Sequence, residues 1–222
     1  MIDGLLSRLA PHLCQSCGEI GTLLCDSCKY DIVSEVFNVC VSCAKPAGNI
    51  GICGECRPGY SQAWCVGERG GVLQRLIGLY KFQNAKAAHQ PLGDLLCERL
   101  PVLPSSTVIV PVPTVASHIR QRGYDHTLLM ARYVAKKQGL TCRSILDRAT
   151  NTMQRHADYA KRKAQAKAAF RSANGQLDPQ VPYLLLDDVI TTGATLRYAA
   201  KTLRQAGAET IWVAALARQT LD

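Results

Sequence analysis

At 222 residues, with 47% hydrophobic and 19% charged side chains, the chain has a globular rather than a disordered composition, and its length suits one ordinary domain with a small appendage. No run approaches eighteen consecutive apolar residues, which excludes an apolar membrane-spanning helix. The formal charge of +9 is unevenly spread: residues 1–60 hold 4 Lys/Arg against 6 Asp/Glu, whereas residues 118–171 hold 13 against 3, a basic belt suited to pyrophosphate, nucleic acid or both.

The N-terminal stretch from Met1 to Leu9 is broken by Asp3 and Arg8. It reads as a short helix with Ile2, Leu5, Leu6 and Leu9 inward rather than as a signal peptide, so a cytoplasmic location is expected. Four Cys-x-x-Cys pairs follow: Cys14/Cys17, Cys25/Cys28, Cys40/Cys43 and Cys53/Cys56. Each places two thiolates on one tight turn, and two pairs complete the tetrahedron that Zn²⁺ prefers, so two zinc sites are expected. Short loops close at lower entropic cost, which favours joining the first pair with the second and the third with the fourth. An interleaved arrangement stays open. A disulfide framework is disfavoured without an export signal. Four thiolates leave zinc no free coordination position, so its role is structural, and a segment this poor in apolar residues needs the metal to fold. His12 reads as a surface residue, and Cys65, Cys97 and Cys142 as small core residues.

Arg57-Pro58-Gly59 marks a boundary between a cysteine-rich zinc-binding domain, residues 1–58, and a second domain, residues 59–222. Beyond it, a short strand is predicted from Gln62 to Gly67 and a helix from Val72 to about Phe82. A second helix spans Leu92 to Leu100, with Pro91 tolerated near its start. Val108 to Pro113 reads as a buried strand running into a Pro-fixed loop. The basic loop Arg120 through His126 follows, then a helix from about Asp125 to Lys137 stopped by Gly139, and a strand around Cys142 to Leu146. Strand alternating with helix, closed by a strand from Thr210 to Ala217, argues a parallel α/β sheet.

The most informative stretch is Tyr183 to Leu196. Leu184 to Leu186 reads as a strand buried on both faces, ending in Asp187 and Asp188. After Val189 and Ile190 come Thr191, Thr192, Gly193, Ala194 and Thr195, and then a helix stopped by Gly207. Unsatisfied N–H groups and the dipole of a helix start favour an anion. The three threonines add hydroxyl donors, and Gly193 admits close backbone approach to a phosphate. Carboxylates cannot hold that phosphate, but they accept hydrogen bonds from neighbouring hydroxyls such as those of a ribose. Strand, acidic pair and hydroxyl turn together resemble the phosphoribosyl pyrophosphate (PRPP) motif of type I phosphoribosyltransferases over residues 187–195.

Residues 148–167 carry Arg148, Arg155, Lys161, Arg162, Lys163 and Lys167 with few large apolar side chains. They read either as a solvated basic helix or as a lid that closes positive charge over a pyrophosphate leaving group. Tyr124, Tyr133, Tyr159 and Phe170 interleave with the basic residues, a composition suited to single-stranded nucleic acid, with Arg155, Lys161 and Lys163 as candidate phosphate contacts.

Over nearly its whole length the chain is similar to the ComF family. The likeness rests on the cysteine head, Lys81-Phe82, Pro111-Val112-Pro113, Arg120 through Gly123, Arg148 with Gln154 and Arg162, Ala169-Phe170 and the PRPP motif. The resemblance implies a type I phosphoribosyltransferase-like parallel sheet with helices on both faces, preceded by the zinc head. It further implies PRPP binding with Mg²⁺ on the pyrophosphate, handling of incoming single-stranded DNA in natural transformation, and a ComFA-type helicase as partner. Were the protein an enzyme, Asp187 and Asp188 would hold the ribose, and Arg120, Arg122, Lys161 or Arg162 would neutralise pyrophosphate. A PRPP-sensing regulator without turnover is a further reading. Where the family carries Phe-Asn-Gln this chain has Tyr124-Asp125-His126, and Asp125 is expected to place an unfavourable negative charge near the pyrophosphate.

Overall fold

Eight residues, Tyr183–Ile190, form the central strand of a five-stranded sheet in the computed structural model, which describes residues 12–83, 85–148, 170–172 and 175–219. The strands are β1 (Gln62–Glu68), β2 (Val108–Pro111), β3 (Thr141–Cys142), β6 (Tyr183–Ile190) and β7 (Ile211–Arg218), in the order β1-β7-β6-β2-β3. Every pairing is parallel. Successive side chains of a strand point to opposite faces. Accordingly, Leu184 and Leu186 enter one apolar cluster, and Tyr183 and Leu185 the other.

Helices α2 (Gly71–Phe82), α3 (His89–Arg99) and α5 (His126–Gln138) cover the first face through Leu76, Ile77, Leu92, Leu96, Met130 and Val134. Helix α6 (Ala194–Gln205) covers the second through Leu196, Ala199, Ala200 and Leu203. The parallel sheet with helices on both faces is thus the expected architecture. None of the helices among the described residues is long and apolar enough to cross a membrane.

Three local expectations are corrected. The strand predicted over Cys142 to Leu146 is two separate pieces. Thr141–Cys142 joins the main sheet, then Arg143 N–H donates to the Ile109 carbonyl and Ile145 N–H to the Arg143 carbonyl, which turns the chain away. Its continuation, β4 (Leu146–Arg148), pairs antiparallel with β5 (Phe170–Ser172). The basic segment Arg120 to Arg122 is not loop but the last turn of a short helix, α4 (Ala116–Arg122), closed by Gly123 at φ 76°. Asp125, expected as a misplaced charge, is the N-cap of α5: its Oδ1 accepts from Leu128 N–H at 3.1 Å and from the Thr114 hydroxyl at 2.9 Å. The predicted N-terminal helix over residues 2–9 lies outside the described residues.

The cysteine head is built of two similar halves. In each, a Cys-x-x-Cys turn is closed by an N–H five residues before its acceptor, Cys14 to the Glu19 carbonyl and Cys40 to the Lys45 carbonyl, both at 2.8 Å. The halves clasp the sheet at its β1 edge. Cys14, Leu23, Leu24, Cys25 and Cys28 join the α2/α3/α5 cluster, while Val41 and Ile52 join the α6 cluster. Arg99 anchors the clasp, donating to the Glu35 carbonyl at 2.8 Å and the Val66 carbonyl at 3.0 Å. The approach is closest at Gly51 (φ 64°), where a Cβ would lie 2.0 Å from the Ala63 carbonyl oxygen of β1. A nine-residue helix, α1 (Asp26–Ser34), which the sequence pattern does not announce, follows Cys25.

Candidate functional site

The eight paired cysteines gather into two groups, Cys14/Cys17/Cys25/Cys28 and Cys40/Cys43/Cys53/Cys56, with the sulfurs of each group within 4.8 Å of one another. The sequential pairing is therefore the one adopted. All eight are free thiols. A tetrahedron with Zn–S bonds of ~2.3 Å has edges of ~3.8 Å. The Cys14–Cys25 and Cys17–Cys25 separations are 3.7 Å and Cys43–Cys53 is 3.5 Å, close to those edges and far from a bonded disulfide. Backbone N–H groups of Cys56 and Glu55 hold Cys53 down to about 6, whereas the neighbouring Cys43 and Cys53 sulfurs push Cys56 up to about 12. Crowded thiols of this kind ionise fully only around a dication, and each group could hold a zinc ion. Of the other cysteines, Cys65 is buried, and Cys97 and Cys142 pack against the core as expected.

The second site is a cleft of about 370 Å³ at the C-terminal ends of β2 and β6, lined by Lys81, Arg122, His126, Arg148, Asp187, Asp188 and Thr195 among others. Strand β6 carries the two carboxylates into it, and the chain then turns through Thr191 and Thr192, both exposed, to Gly193. Gly193 sits at φ 67° as the N-cap of α6 and has no side chain to satisfy the helix N–H groups. The helix start therefore keeps its affinity for an anion.

The carboxylates are unlike. Asp188 is buried and accepts from Lys81 Nζ at 2.8 Å and from His126 Nε2. Behind it, Arg122 donates to His126 Nδ1 at 2.9 Å. A guanidinium cannot accept, so Nδ1 carries the lone pair and Nε2 the proton given to Asp188. Burial alone would raise Asp188, but the His126 hydrogen bond and the Lys81 charge hold it well below the usual carboxylate range. Asp187 lacks such partners; burial, reinforced by the charge of Asp188, pushes it up to about 8.

That shift has a defined pH signature. Between its ordinary value near 3.8 and about 8, the folded protein keeps a proton on Asp187 that the unfolded chain releases. Its contribution to stability is thus full at the acid end and falls as pH rises, by up to about 1.4 kcal/mol per pH unit. Asp188, lowered instead, contributes its share above the ordinary carboxylate value and does not vary across neutral pH. Asp187→Asn should flatten the decline between about pH 5 and pH 8, as read by denaturant unfolding of ligand-free protein. An unchanged pH slope would mean that Asp187 is ionised in the fold.

Of the residues singled out from sequence as candidate ligand contacts, the cleft unites Asp187, Asp188, Val189, Thr195, Arg122 and Arg148. Arg122 is 9% exposed, engaged with His126 and stacked 5.6 Å over the Phe82 ring. Arg120 is exposed and lines an adjoining hollow of about 630 Å³ with Arg148 and Arg171. Arg155, Lys161, Arg162 and Lys163, with the rest of the expected lid from 149 to 167, lie outside the described residues. Sequence reasoning assigned no role to Lys81 or His126. A Lys-Phe at the end of an amphipathic helix gave a weak signal for the first; nothing in the local pattern gave one for the second.

No protein-family model matches the chain. It is 32% identical over 210 residues to Competence protein F of Haemophilus influenzae, covering 88% of this chain and 90% of that protein. It is 29% identical over 209 residues to the DNA utilization protein YhgH of Salmonella typhi, with the same coverage of 88% and 90%. Competence protein ComFC of Bacillus subtilis is 23% identical over 200 residues, 83% of this chain and 79% of that one. Among solved structures, an allosteric regulatory enzyme of purine biosynthesis superposes with a TM-score of 0.43 at 20% identity, over 58% of this chain and 26% of that chain. The glutamine PRPP amidotransferase from B. subtilis superposes with a TM-score of 0.41, again over 58% and 26%.

Proposed function

Because the chain belongs to the competence protein F, or ComF, family, we propose that it binds PRPP in the β6 cleft and acts in the handling of incoming single-stranded DNA. The observation that carries PRPP binding is the meeting, in one cleft, of two strand-end carboxylates with a helix N-terminus whose cap residue, Gly193, has no side chain. Asp187 and Asp188 accept from the ribose hydroxyls, and the 191–195 turn holds the 5′-phosphate. Arg148, lining the cleft and donating Nε to the Pro113 carbonyl at 3.1 Å, stands with Lys81 among its cations. Mg²⁺ arriving on the pyrophosphate would neutralise part of that group's charge. In an active phosphoribosyltransferase, the C1–O bond would break with positioning and charge stabilisation as the main contributions of these residues. The zinc ions complete the head structurally.

Calorimetric titration with PRPP and Mg²⁺ tests this reading. Asp187→Ala should weaken PRPP by about 1–2 kcal/mol through loss of a ribose hydrogen bond. Thr192→Val should weaken PRPP and ribose 5-phosphate alike, since both present the 5′-phosphate. Absence of PRPP binding by folded wild-type protein refutes the assignment. Pyrophosphate release with a panel of bases separates turnover from a PRPP-sensing role.

The names of the relatives, competence proteins and a DNA utilization protein, favour the second half of the proposal. Single-stranded DNA is expected to bind across residues 118–171, each neutralised phosphate contributing roughly −0.7 to the slope of log affinity against log salt. Neutralising Arg155, Lys161 and Lys163 together should flatten that slope by about two units. A slope near zero in the wild type would remove DNA handling from the belt. The sequence carries no Gly-x-x-x-x-Gly-Lys-[Ser/Thr] loop, so ATP-driven pulling falls to a partner such as a ComFA-type helicase in the cytoplasm.

A further inference from the structure

We infer that the second four-thiolate centre, Cys40/Cys43/Cys53/Cys56, is part of the phosphate-turn machinery, so that metal occupancy there and anion binding at residues 191–195 are thermodynamically linked. The first centre has no such link. The inference rests on the phosphate-binding reading of the turn.

The physical route is short. Val41, wholly buried inside the Cys40–Cys43 turn, accepts from Arg218 Nε at 3.3 Å through its carbonyl. Arg218 ends β7 opposite Ile190, the residue that immediately precedes the phosphate turn. Gln219 N–H donates to the Ile190 carbonyl at 2.8 Å. A second, closer approach bypasses the strand. Ser42 Oγ stands 3.9 Å from where a Cβ on Gly193 would lie, beside Arg197, whose guanidinium donates to the Thr192 carbonyl at 2.9 Å. Ser42 is itself held by the Tyr60 hydroxyl at 3.4 Å. Ser42 of the metal turn thus stands within a side chain's reach of the α6 cap.

Charge supplies an independent argument. Arg218 is 3% exposed, and among the described residues it has no carboxylate partner and its Nη1 has no hydrogen-bond partner. A buried cation without an anion is costly and does not persist uncompensated. Four thiolates around a dication carry a net charge of −2, and that charge sits in the turn whose carbonyl Arg218 already touches. Metal loading of this centre therefore supplies the counter-charge that fixes Arg218 and, through it, the end of β6. The first centre packs against the opposite face of the sheet, with α2 and α3, and is tied to the body through Arg75, which donates to the Gln15 carbonyl at 2.8 Å and 3.0 Å.

The test compares the two centres in the full chain. Cys43→Ser and Cys17→Ser each remove the exposed ligand of one centre, and elemental analysis confirms which protein has lost zinc. Ribose 5-phosphate affinity should fall about tenfold further in Cys43→Ser than in Cys17→Ser. Amide exchange across residues 190–197 should accelerate only when the second centre is emptied. Ser42→Ala, with both metals retained, should weaken ribose 5-phosphate about threefold to tenfold, and Ser42→Thr should restore it. By reciprocity, ribose 5-phosphate should slow zinc loss to a chelator from the second centre of the wild type. Equal effects of the two cysteine variants, or ligand-independent zinc loss together with wild-type affinity in Ser42→Ala, overturn the inference. Should Cys43→Ser not fold, the Ser42 and zinc-protection measurements decide alone. A wild type that binds no ribose 5-phosphate fells the phosphate reading itself; the exchange measurement then still reports whether the metal centre holds the turn.

Discussion

Stripping zinc from the protein is expected to unfold the head and lower the thermal midpoint of the whole chain. Structural zinc sites of four thiolates contribute about 10–16 kcal/mol of apparent binding energy, and that energy is folding energy. The head has little else to hold it. The one α-helix among its described residues, Asp26–Ser34, buries only Cys28. The effect should reach the body, because Cys14, Leu23, Leu24, Cys25 and Cys28 belong to the same apolar cluster as α2, α3 and α5, and losing them opens that face to water. Elemental analysis should give about two zinc ions per chain. Chelation followed by a thermal scan should then show the loss. Protein purified without zinc and with its cysteines in disulfides, or a melt unaffected by chelation, would refute the metal assignment.

Much of the fold is readable from local pattern, because the decisive signals are local. The run Leu184 to Leu186 reads as a strand buried on both faces, and Gly193, at φ 67°, is where the chain passes from strand to helix. Loop length favours the sequential pairing of the cysteines for the same reason, though it leaves the interleaved one open. Asp125 was legible too: an Asp before a helical run is an N-cap signal, and reading it as a stray charge gave electrostatics precedence over a hydrogen bond to Leu128 N–H. What pattern could not show is the set of contacts that closes over long separations. His126 and Asp188 are 62 residues apart, Val41 and Arg218 are 177 apart, and no periodicity connects them. The break after Cys142 also escapes pattern. Leu146 is buried like a sheet residue, at 3% exposed, but its backbone pairs with β5 rather than β2.

Asp188→Ala is expected to destabilise the protein by about 3–5 kcal/mol, the cost of leaving buried charge unpaired. The side chain of Asp188 is 7% exposed and that of Lys81 20%, so little water can replace the lost carboxylate. Without it the Lys81 ammonium loses its acceptor, and His126 Nε2–H, held in place by Arg122 at Nδ1, has nowhere to donate. Asp188→Asn keeps the shape and one acceptor oxygen, enough for His126 but not for the charge on Lys81, and should lose less. Adding Lys81→Met to Asp188→Ala removes the stranded cation, so the double variant should be more stable than the sum of the single losses by about 0.5–3 kcal/mol. Because Asp188 is held below the usual carboxylate range, its contribution is present above pH ~4 and fades as pH falls through the lower value of the fold, so wild type and Asp188→Ala should converge in strong acid. Denaturant unfolding across pH measures each of these. Strict additivity of the two substitutions would show that Lys81 draws its stability from elsewhere, and the lowering of Asp188 would then rest on the His126 hydrogen bond.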